Sequence, residues 1–322
     1  MLPERPNDLT VSVAICAYTQ KRYEVLVRAV EATLAQLRNG DEVILIADHA
    51  PELFAAARDR FPRVRVLANA HAKGLSGARN TAVQASSADV VAFLDDDAVP
   101  DAGWLDALLA PYADPAIVGV GGVVEPVWPS QSPAWLPPEF LWVVGCSYAG
   151  LPESVVPIRN PIGANMAFRR EAFDQVGLFS ETLGRVGTLP VGCEETELGI
   201  RVGARYGSSA ILHQPASRVA HHISADRGEI RYFYRRCWSE GRSKAAVSRV
   251  AGAAEGLSSE RQYVTRTLPR ALARDLRAAV GGDLDALARA TNLGAGTLVT
   301  AAGYLRDRLA LSAERARILS AH

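Results

Sequence analysis

The sequence predicts an α/β fold, in which a mainly parallel sheet is covered by helices on both faces and is followed by a C-terminal helical extension. Short apolar, β-branched runs alternate with segments whose apolar residues recur every three or four positions, and polar clusters follow several of the runs directly. From Asp226 onward the pattern is helical to the end of the 322 residues. We therefore expect an α/β domain over residues 1–225 and a helical region over residues 226–322.

Four runs in the first part of the chain are predicted to be strands, and two of them are typical of strands that are buried on both faces, because they lack the polar alternation of a half-exposed strand. LTVSVAIC and EVILIA show this most clearly. The segments between the runs carry helical apolar stripes. Pro51 suits the first position of a helix, and Asn39-Gly40 suits a helix end. The predicted strands are 9–16, 42–47, 63–68 and 89–94, and the predicted helices are 22–38, 51–60 and 76–86.

Residues 125–160 interrupt this alternation, since they are rich in proline and tryptophan. Their composition predicts a long ordered loop, and long loops in compact domains are often functional. The tryptophans either close over a bound ligand or form a packed cover over the sheet, and the sequence leaves both alternatives open. After this loop we predict regular structure at 163–168, helices from Arg170 and over 194–206, and a strand at 209–213.

Charge and cysteine usage exclude several classes of protein. The formal net charge is +0, which argues against a broad electrostatic surface for nucleic acid. The four cysteines form no Cys-x-x-Cys pair, so a reducing cytoplasm is the simplest setting. The N-terminus lacks the apolar stretch of a secretory signal, and no apolar run approaches the roughly 20 residues of a membrane-spanning helix. We therefore expect a cytoplasmic protein.

Three adjacent carboxylates, Asp95, Asp96 and Asp97, follow the fourth predicted strand. Their mutual repulsion requires compensation, and hard divalent cations such as Mg²⁺ or Mn²⁺ prefer oxygen ligands. In open parallel sheets, ligands bind beyond the carboxyl ends of the strands, which is where this cluster lies. The alternative is a solvated acidic turn before a helix near Asp101. The buried strand that leads into the cluster favours the metal site.

Three further positions have both a chemical and a structural interpretation. Glu194 and Glu195 open a helix, where they either complement the helix dipole or provide a general base. His221 and His222 are either metal ligands or ordinary core and surface residues, and the sequence does not decide between the two. Asp48 ends the second strand, where it either contacts a nucleotide or forms an Asx-type turn.

Six segments between residues 9 and 225 share their order and their residue types with one enzyme family. The most specific is GANMAFRREAFDQVGLFSE at 163–181, and FLDDDAVPDAGWL at 93–105 carries the aspartates. The other four are VSVAICAYTQKR, EVILIADHAPE, GLSGARN and CEETELGIRV. On these segments the chain resembles the family 2 glycosyltransferases, which have the GT-A fold, a Rossmann-like α/β architecture. Residues 1–225 would then be the nucleotide-sugar-binding catalytic domain.

The resemblance implies a role for each matching residue. Asp95, Asp97 and His221 would hold a divalent ion, Mn²⁺ or Mg²⁺, that bridges the diphosphate of the donor. His222 is the alternative to His221 as a ligand, and Asp96 would approach the donor sugar. The implied nucleotide site contains Ala17, Tyr18, Asp48 and Arg79, the last on its phosphate side.

The implied catalytic base is Glu195, with Glu194 beside it. The family usually has Asp at this position, and a Glu reaches about one methylene farther, so acceptor placement differs while base catalysis stays chemically reasonable. The opening loop also departs from the family, because it reads Ala17-Tyr18-Thr19 where Thr-Tyr-Asn is usual.

The implied activity is metal-dependent transfer of a hexose-type sugar, from a nucleotide-diphosphate sugar to a hydroxyl of a glycan, lipid-linked or natural-product acceptor. Uridine diphosphate sugars are the family's commonest donors. A single displacement inverts the configuration at the anomeric carbon. The alternatives are a nucleotidyltransferase and a non-catalytic nucleotide-sugar-binding protein. CAYTQKR is not the Gly-rich loop that usually cradles a triphosphate, which argues against the first.

Arginines and aromatic residues are mixed in the segment GEIRYFYRRCWSEGRSKAAVSRV. Such a helix either packs on the catalytic domain, binds an acceptor phosphate, or lies at an anionic membrane surface, here the inner face of the membrane. The amphipathic helices beyond residue 255 are compatible with domain packing or with a homodimer.

Overall fold

A computed structural model describes residues 5–6, 8–182, 192–251 and 261–319. The helix predicted across residues 252–260 and 320–322 therefore lies outside the described residues. The strands are β1 Val11–Ala17, β2 Glu42–Ala47, β3 Arg65–Ala68, β4 Val90–Asp95, β5 Ala98–Pro100, β6 Gly119–Val127, β7 Val156–Pro157, β8 Asn165–Arg169 and β9 Ile211–His222. The helices are α1 Tyr23–Leu34, α2 Pro51–Arg60, α3 Leu75–Ala85, α4 Trp104–Leu109, α5 Arg170–Val176, α6 Glu194–Tyr206, α7 Ile230–Ala251, α8 Leu268–Val280 and α9 Leu284–Leu319.

One mixed sheet contains all the strands of the described ranges, in the order β3-β2-β1-β4-β8-β6-β9-β5, with β7 paired to β9. The half built from β1 to β4 is parallel throughout, as the sequence predicts. In the other half β8 runs antiparallel to both β4 and β6, while β6 and β9 are parallel. The predicted α/β architecture with a C-terminal helical region is therefore confirmed, with a sheet that is mixed beyond β4.

The two faces of the sheet carry separate apolar cores, because alternate residues of a strand point to opposite faces. Val13 and Ile15 of β1 lie in the core that α1, α2 and α4 cover. Ala14 between them lies in the second core, which α3, α5 and α6 cover. The central strands are therefore buried on both sides, which explains their continuous apolar runs.

Asn165 ties the middle of the sheet together at the start of β8. Its Nδ2 donates hydrogen bonds to the carbonyls of Val123 (3.0 Å) and Ser217 (3.1 Å), and its Oδ1 accepts one from Trp104 Nε1 (2.8 Å). Both Asn165 and Trp104 are fully buried. The register of β6 and β9 shifts at this point, between Gly121 and Val123. Asn165 therefore satisfies backbone carbonyls that the irregular ladder leaves without partners.

The segment predicted as one loop over 125–160 contains more regular structure than expected. β6 extends through Val127, a 3-10 helix spans Pro138–Val144, and β7 lies at Val156–Pro157. The strand predicted at 209–213 was too short, since β9 runs from Ile211 to His222. β5 and the first part of β6 were not predicted. The prediction failed because β5 has only three residues and because β6 begins with the low-propensity Gly119 and Gly121.

Two tryptophans of this segment face the C-terminal helices. Trp135 packs edge-on against Phe233 of α7, with the ring centroids 5.7 Å apart. Trp142 Nε1 donates to the hydroxyl of Tyr263, 3.2 Å away. The sequence left open whether the tryptophans close over a ligand or form a packed cover over the sheet. These two side chains are packed, but against C-terminal helical residues rather than against the sheet.

The helix α7 packs inward through its mixed basic and aromatic face. Phe233 and Cys237 are 1% and 0% exposed, and Arg236 is 4% exposed. Among the three alternatives for this helix, packing on the α/β part of the chain agrees with the observed burial and with the contact between Phe233 and Trp135. Large exposed aliphatic side chains lie instead on α8 and α9, where Val280 and Leu284 are 92% and 77% exposed. None of the described helices combines the length and apolarity needed to cross a membrane.

Candidate active site

A cleft opens at the carboxyl ends of β1, β2 and β4, as expected for an open α/β sheet. It encloses about 590 Å³ together with the open space at its mouth. Six residues predicted for the donor and metal sites line this cleft, namely Ala17, Tyr18, Asp48, Asp95, Asp96 and Asp97. The structure thus brings together three polar clusters that are far apart in the sequence.

A short antiparallel pairing brings the aspartate cluster to the histidines. Ala98 of β5 pairs with His221 of β9, and the backbone N–H of His222 donates to the carbonyl of Asp97 at 2.7 Å. His221 Nε2 lies 2.9 Å from Asp97 Oδ1, and both side chains are 3% exposed. One ligand atom each of Asp95, Asp97 and His221 lies within 4.8 Å of the others. β5, which the sequence analysis missed, therefore creates this cluster.

The alternation of β9 separates the two histidines. His221 is 2% exposed and belongs to the cluster, whereas the half-buried His222 lies on the opposite side of the strand. The other ring nitrogen of His221, Nδ1, lies 3.3 Å from the thiol of the fully buried Cys146. Nε2 is thus the nitrogen that faces the aspartates, and Cys146 fixes the opposite edge of the ring.

Arg22, which the sequence analysis did not single out, pairs with two of the three aspartates. Its guanidinium lies 2.9 Å from Asp96 Oδ1 and also binds Asp97 Oδ2. It lies just after β1, at the end of a 3-10 turn whose N-cap is Thr19. Arg22 also lies 5.1 Å from the ring centroid of Tyr18. The sequence signal for this residue was its place in VSVAICAYTQKR.

The buried charges of the cluster shift one another's protonation. Burial raises the pKa of Asp96 to about 8, and the neighbouring aspartates add to this rise while Arg22 opposes it. Burial would also raise the pKa of Asp97, but His221 and Arg22 hold it well below its usual range. Burial alone would lower the pKa of His221, yet the Asp97 carboxylate raises it to about 10. These shifts favour an ionised Asp97 and a protonated His221 in the metal-free protein, so a metal ion that binds His221 Nε2 would displace a proton.

Asp48 organises the start of α3 as well as the cleft wall. Its Oδ1 accepts a hydrogen bond from Asn69 Nδ2 at 2.7 Å, and its Oδ2 accepts one from the backbone N–H of Gly74 at 3.0 Å. Gly74 has a φ of 135°, which a residue with a side chain rarely adopts. These bonds join Asp48 to residues 21 and 26 positions along the chain, so they are not the Asx-type turn before Pro51 that the sequence left as an alternative. Asp48 lines the cleft, and its contact with a nucleotide stays a prediction.

Arg79 connects the aspartate cluster to the acidic pair at the start of α6. It is 2% exposed, and it donates to Glu194 Oε1 at 2.9 Å, to the carbonyl of Gly163 at 3.0 Å and to Asp95 Oδ1 at 3.5 Å. A Cβ on Gly163 would lie 2.7 Å from an Arg79 nitrogen, so the glycine leaves room for the guanidinium. In this arrangement Arg79 donates to protein oxygens, and its role on the phosphate side stays a prediction.

The acidic pair has two different environments. Glu194 is 4% exposed and ion-paired with Arg79, whereas Glu195 is half-buried and its charged neighbours are Glu194, Arg79 and Glu240 of α7. Burial raises the pKa of Glu195 to about 8, and the adjacent Glu194 adds to the rise. Such a carboxylate is suited to accept a proton near neutral pH.

One further lining residue, Arg227, gave no signal in the sequence. It follows β9 in a short 3-10 turn, Ala225–Gly228, and faces the cleft. Its charge contributes to lowering the pKa of Asp97. Because it belongs to none of the six segments, only the fold identifies it as part of the site.

Comparison with known proteins agrees with this geometry. The profile described as Glycosyl transferase family 2 matches residues 12–177, just over half of the chain. The glucosyl-dolichyl phosphate glucuronosyltransferase of Haloferax volcanii is 34% identical over 243 residues, which cover 74% of this chain and 77% of the relative.

Two solved structures share the fold at low sequence identity. A mannosyltransferase from Pyrobaculum calidifontis, in complex with GDP-Man and Mn²⁺, is 17% identical, with a TM-score of 0.61 and coverage of 95% of this chain and 90% of its own. A structure of GalNAc-T7 with UDP, GalNAc and Mn²⁺ is 19% identical, with a TM-score of 0.52, and the match covers 73% of this chain but 48% of the other. The extent of the family match and the identity to the Haloferax enzyme show that this chain belongs to glycosyltransferase family 2 and is a glycosyltransferase.

Proposed function

We propose that the chain is a metal-dependent, inverting glycosyltransferase that moves a sugar from a nucleotide-diphosphate sugar to an acceptor hydroxyl. The observation that carries this proposal is the convergence of Asp95, Asp97 and His221, whose ligand atoms lie within 4.8 Å of one another beside the cleft. These residues come from β4, the turn after it and the end of β9, so only the fold brings them together.

The chemistry of the three side chains fits Mn²⁺ or Mg²⁺. Two carboxylates and one imidazole provide the oxygen and nitrogen ligands that these ions accept, and Cys146 holds the imidazole from its far edge. A bound ion would offset the negative charge that develops on the leaving diphosphate. The structural neighbours with Mn²⁺ support this choice of ion.

The proton of the acceptor hydroxyl would pass to Glu195. Its pKa of about 8 makes the carboxylate a stronger base than an ordinary glutamate, and its position at the start of α6 places it next to the Glu194–Arg79 ion pair. Arg79 binds both Asp95 and Glu194, so one buried guanidinium links a proposed metal ligand to the residue beside the proposed base. Attack from the face opposite the diphosphate inverts the anomeric carbon.

The donor is a nucleotide sugar whose base we propose to be uracil. Ala17, Tyr18 and Asp48 line the nucleotide side of the cleft and would contact it. One structural neighbour contains UDP and the other contains GDP-Man, so guanosine diphosphate sugars are the direct competitors in any screen.

The acceptor is a compound with a free hydroxyl, and a lipid-linked acceptor is the one that the Haloferax relative's name supports. Any contact with a membrane surface or with a second copy of the chain would use α8 and α9. Their exposed aliphatic side chains include Leu276, Leu298, Leu305 and Leu309, whereas the aromatic face of α7 is buried. A cytoplasmic location is consistent with the free thiols of all four cysteines.

The test is release of nucleotide from a panel of UDP and GDP sugars, measured with simple glycosides and with a polyprenyl phosphate sugar as acceptors. We expect release that requires Mn²⁺ or Mg²⁺, that EDTA abolishes, and that Asp97→Asn reduces by at least about a hundredfold. Asp101→Asn is the matched control, because Asp101 is exposed and lies outside the cleft. The anomeric proton of the product should show inverted configuration by NMR.

Activity that persists in EDTA would contradict the metal requirement, and a retained configuration would contradict the single displacement. Tight binding of a nucleotide sugar with no transfer to any acceptor would favour a non-catalytic binding protein instead.

A further inference from the structure

Arg22 lies where a metal ion and a diphosphate would meet the carboxylates. Its side chain is 21% exposed and lines the cleft between the nucleotide loop and the aspartates. Its two terminal nitrogens bind different residues, one Asp96 and the other Asp97. The Tyr18 ring, 5.1 Å from the guanidinium carbon, supports it from the other side.

The contacts of Asp97 create a conflict between cations. Oδ1 of Asp97 lies 2.9 Å from His221 Nε2, and Oδ2 binds Arg22. A divalent ion held by Asp95, Asp97 and His221 would share the Asp97 carboxylate with the guanidinium. Two positive centres a few ångströms apart repel each other strongly in a buried site. Arg22 in its observed position therefore competes with the ion for Asp97.

A diphosphate resolves this conflict, because it brings the negative charge that Arg22 gives up. The planar guanidinium binds phosphate oxygens through two parallel hydrogen bonds, and it stays charged when it changes partner. Arg22 needs no backbone movement to reach the cleft, since it already lines it.

We infer that Arg22 exchanges partners during donor binding. It pairs with Asp96 and Asp97 before the ion and the donor bind, and it contacts the donor's diphosphate afterwards. This inference rests on the metal-dependent function proposed above and adds a donor-binding residue to it. A static role for Arg22, as permanent neutralisation of the cluster, makes the opposite prediction for metal binding, because removing the guanidinium would then disrupt the aspartates.

The experiment measures Mn²⁺ binding and nucleotide binding separately, on the full chain with Arg22→Gln. Free Mn²⁺ is counted by electron paramagnetic resonance without nucleotide, and calorimetry then gives the dissociation constants of UDP and GDP in saturating Mn²⁺. We expect Arg22→Gln to bind Mn²⁺ alone about tenfold more tightly, because a neighbouring positive charge is gone. We expect the same variant to bind the preferred nucleotide at least about tenfold more weakly, because a charge-assisted contact is lost.

Lys21→Gln is the matched control, because it removes one positive charge from the same turn at an exposed position. It should change neither constant. Arg22→Lys retains the charge without the planar fork, so it should keep the Mn²⁺ affinity of the wild type while binding nucleotide more weakly. Its result also decides the question if Arg22→Gln does not fold.

The exchange of partners by Arg22 is supported if Arg22→Gln binds Mn²⁺ more tightly and binds nucleotide more weakly. An unchanged or weaker affinity of Arg22→Gln for Mn²⁺ overturns it, as does an unchanged affinity for nucleotide. Failure of the wild-type protein to bind Mn²⁺ would instead contradict the proposed function itself, which separates the two ideas.

Discussion

The environment of Glu195 predicts a pH profile that a neighbouring substitution should move. Because burial and the adjacent Glu194 raise the pKa of Glu195 to about 8, most of this residue is protonated at pH 7 and cannot accept a proton. Below pH 8, kcat/KM should therefore fall with a slope that approaches about tenfold for each pH unit well below the pKa. Between pH 6 and pH 8 the expected increase is about fiftyfold, since the ionised fraction rises from roughly one per cent to one half.

The informative perturbation is Glu194→Gln. It removes the like charge beside Glu195 and also releases Arg79, whose positive charge then favours ionised Glu195. Both effects lower the pKa of Glu195, so the acid limb of the profile should move to lower pH by about one unit. Glu195→Gln should abolish transfer at every pH while leaving nucleotide binding in place.

The assay is kcat/KM for nucleotide release from pH 5.5 to 9.5, at saturating Mn²⁺ and with constant ionic strength. Glu52→Gln is the control, because Glu52 is exposed on α2 and does not line the cleft. The assignment of Glu195 as the base would be refuted if the acid limb of the wild-type kcat/KM profile lay near the ordinary glutamate pKa. It would also be refuted if Glu194→Gln did not move that limb.

Two other predictions concern the residues that support the site. Asn165→Ala should destabilise the fold by about 3 kcal/mol in urea unfolding, because it removes three buried hydrogen bonds, including that of Trp104, and a loss below about 1 kcal/mol would contradict this role. Gly163→Ala should lower kcat at least about tenfold, because the Cβ of the alanine would displace the Arg79 guanidinium. Small displacements of catalytic groups reduce the rate of the chemical step strongly. The control for Gly163→Ala is Gly203→Ala in α6, where a Cβ meets nothing within 4 Å, so this change should leave kcat unchanged and raise stability by up to about 1 kcal/mol.

The parallel half of the fold could be predicted because its strands are local signals. Each of β1, β2 and β4 is a continuous apolar run, and each is followed by a polar residue at the same edge of the sheet. Because ligands of open α/β sheets bind beyond the carboxyl ends of the strands, this pattern alone predicts that Ala17, Asp48 and Asp95 lie in one cleft.

The antiparallel half could not be predicted in the same way. β5 has three residues and pairs with β9, so the local sequence around it does not predict a strand. The same pairing decides between His221 and His222, because it fixes which side of β9 faces Asp97. A one-residue change of register would exchange the two histidines.

The charged connections within the site were also beyond the sequence. Arg22 and Arg79 lie 57 positions apart by residue number (79 minus 22), and each binds carboxylates that come from other elements. An arginine in a sequence is usually a solvated surface residue, and only the fold shows that these two bind carboxylates in the site.

The most direct test of the central claim is a comparison of Mn²⁺ binding by the wild-type protein, His221→Ala and His222→Ala. The two histidines are adjacent, so the variants differ little in sequence and composition. We expect His221→Ala to weaken Mn²⁺ binding by at least about tenfold and His222→Ala to bind the ion like the wild type. Equal effects of the two substitutions, or a larger effect of His222→Ala, would contradict a metal site built from Asp95, Asp97 and His221.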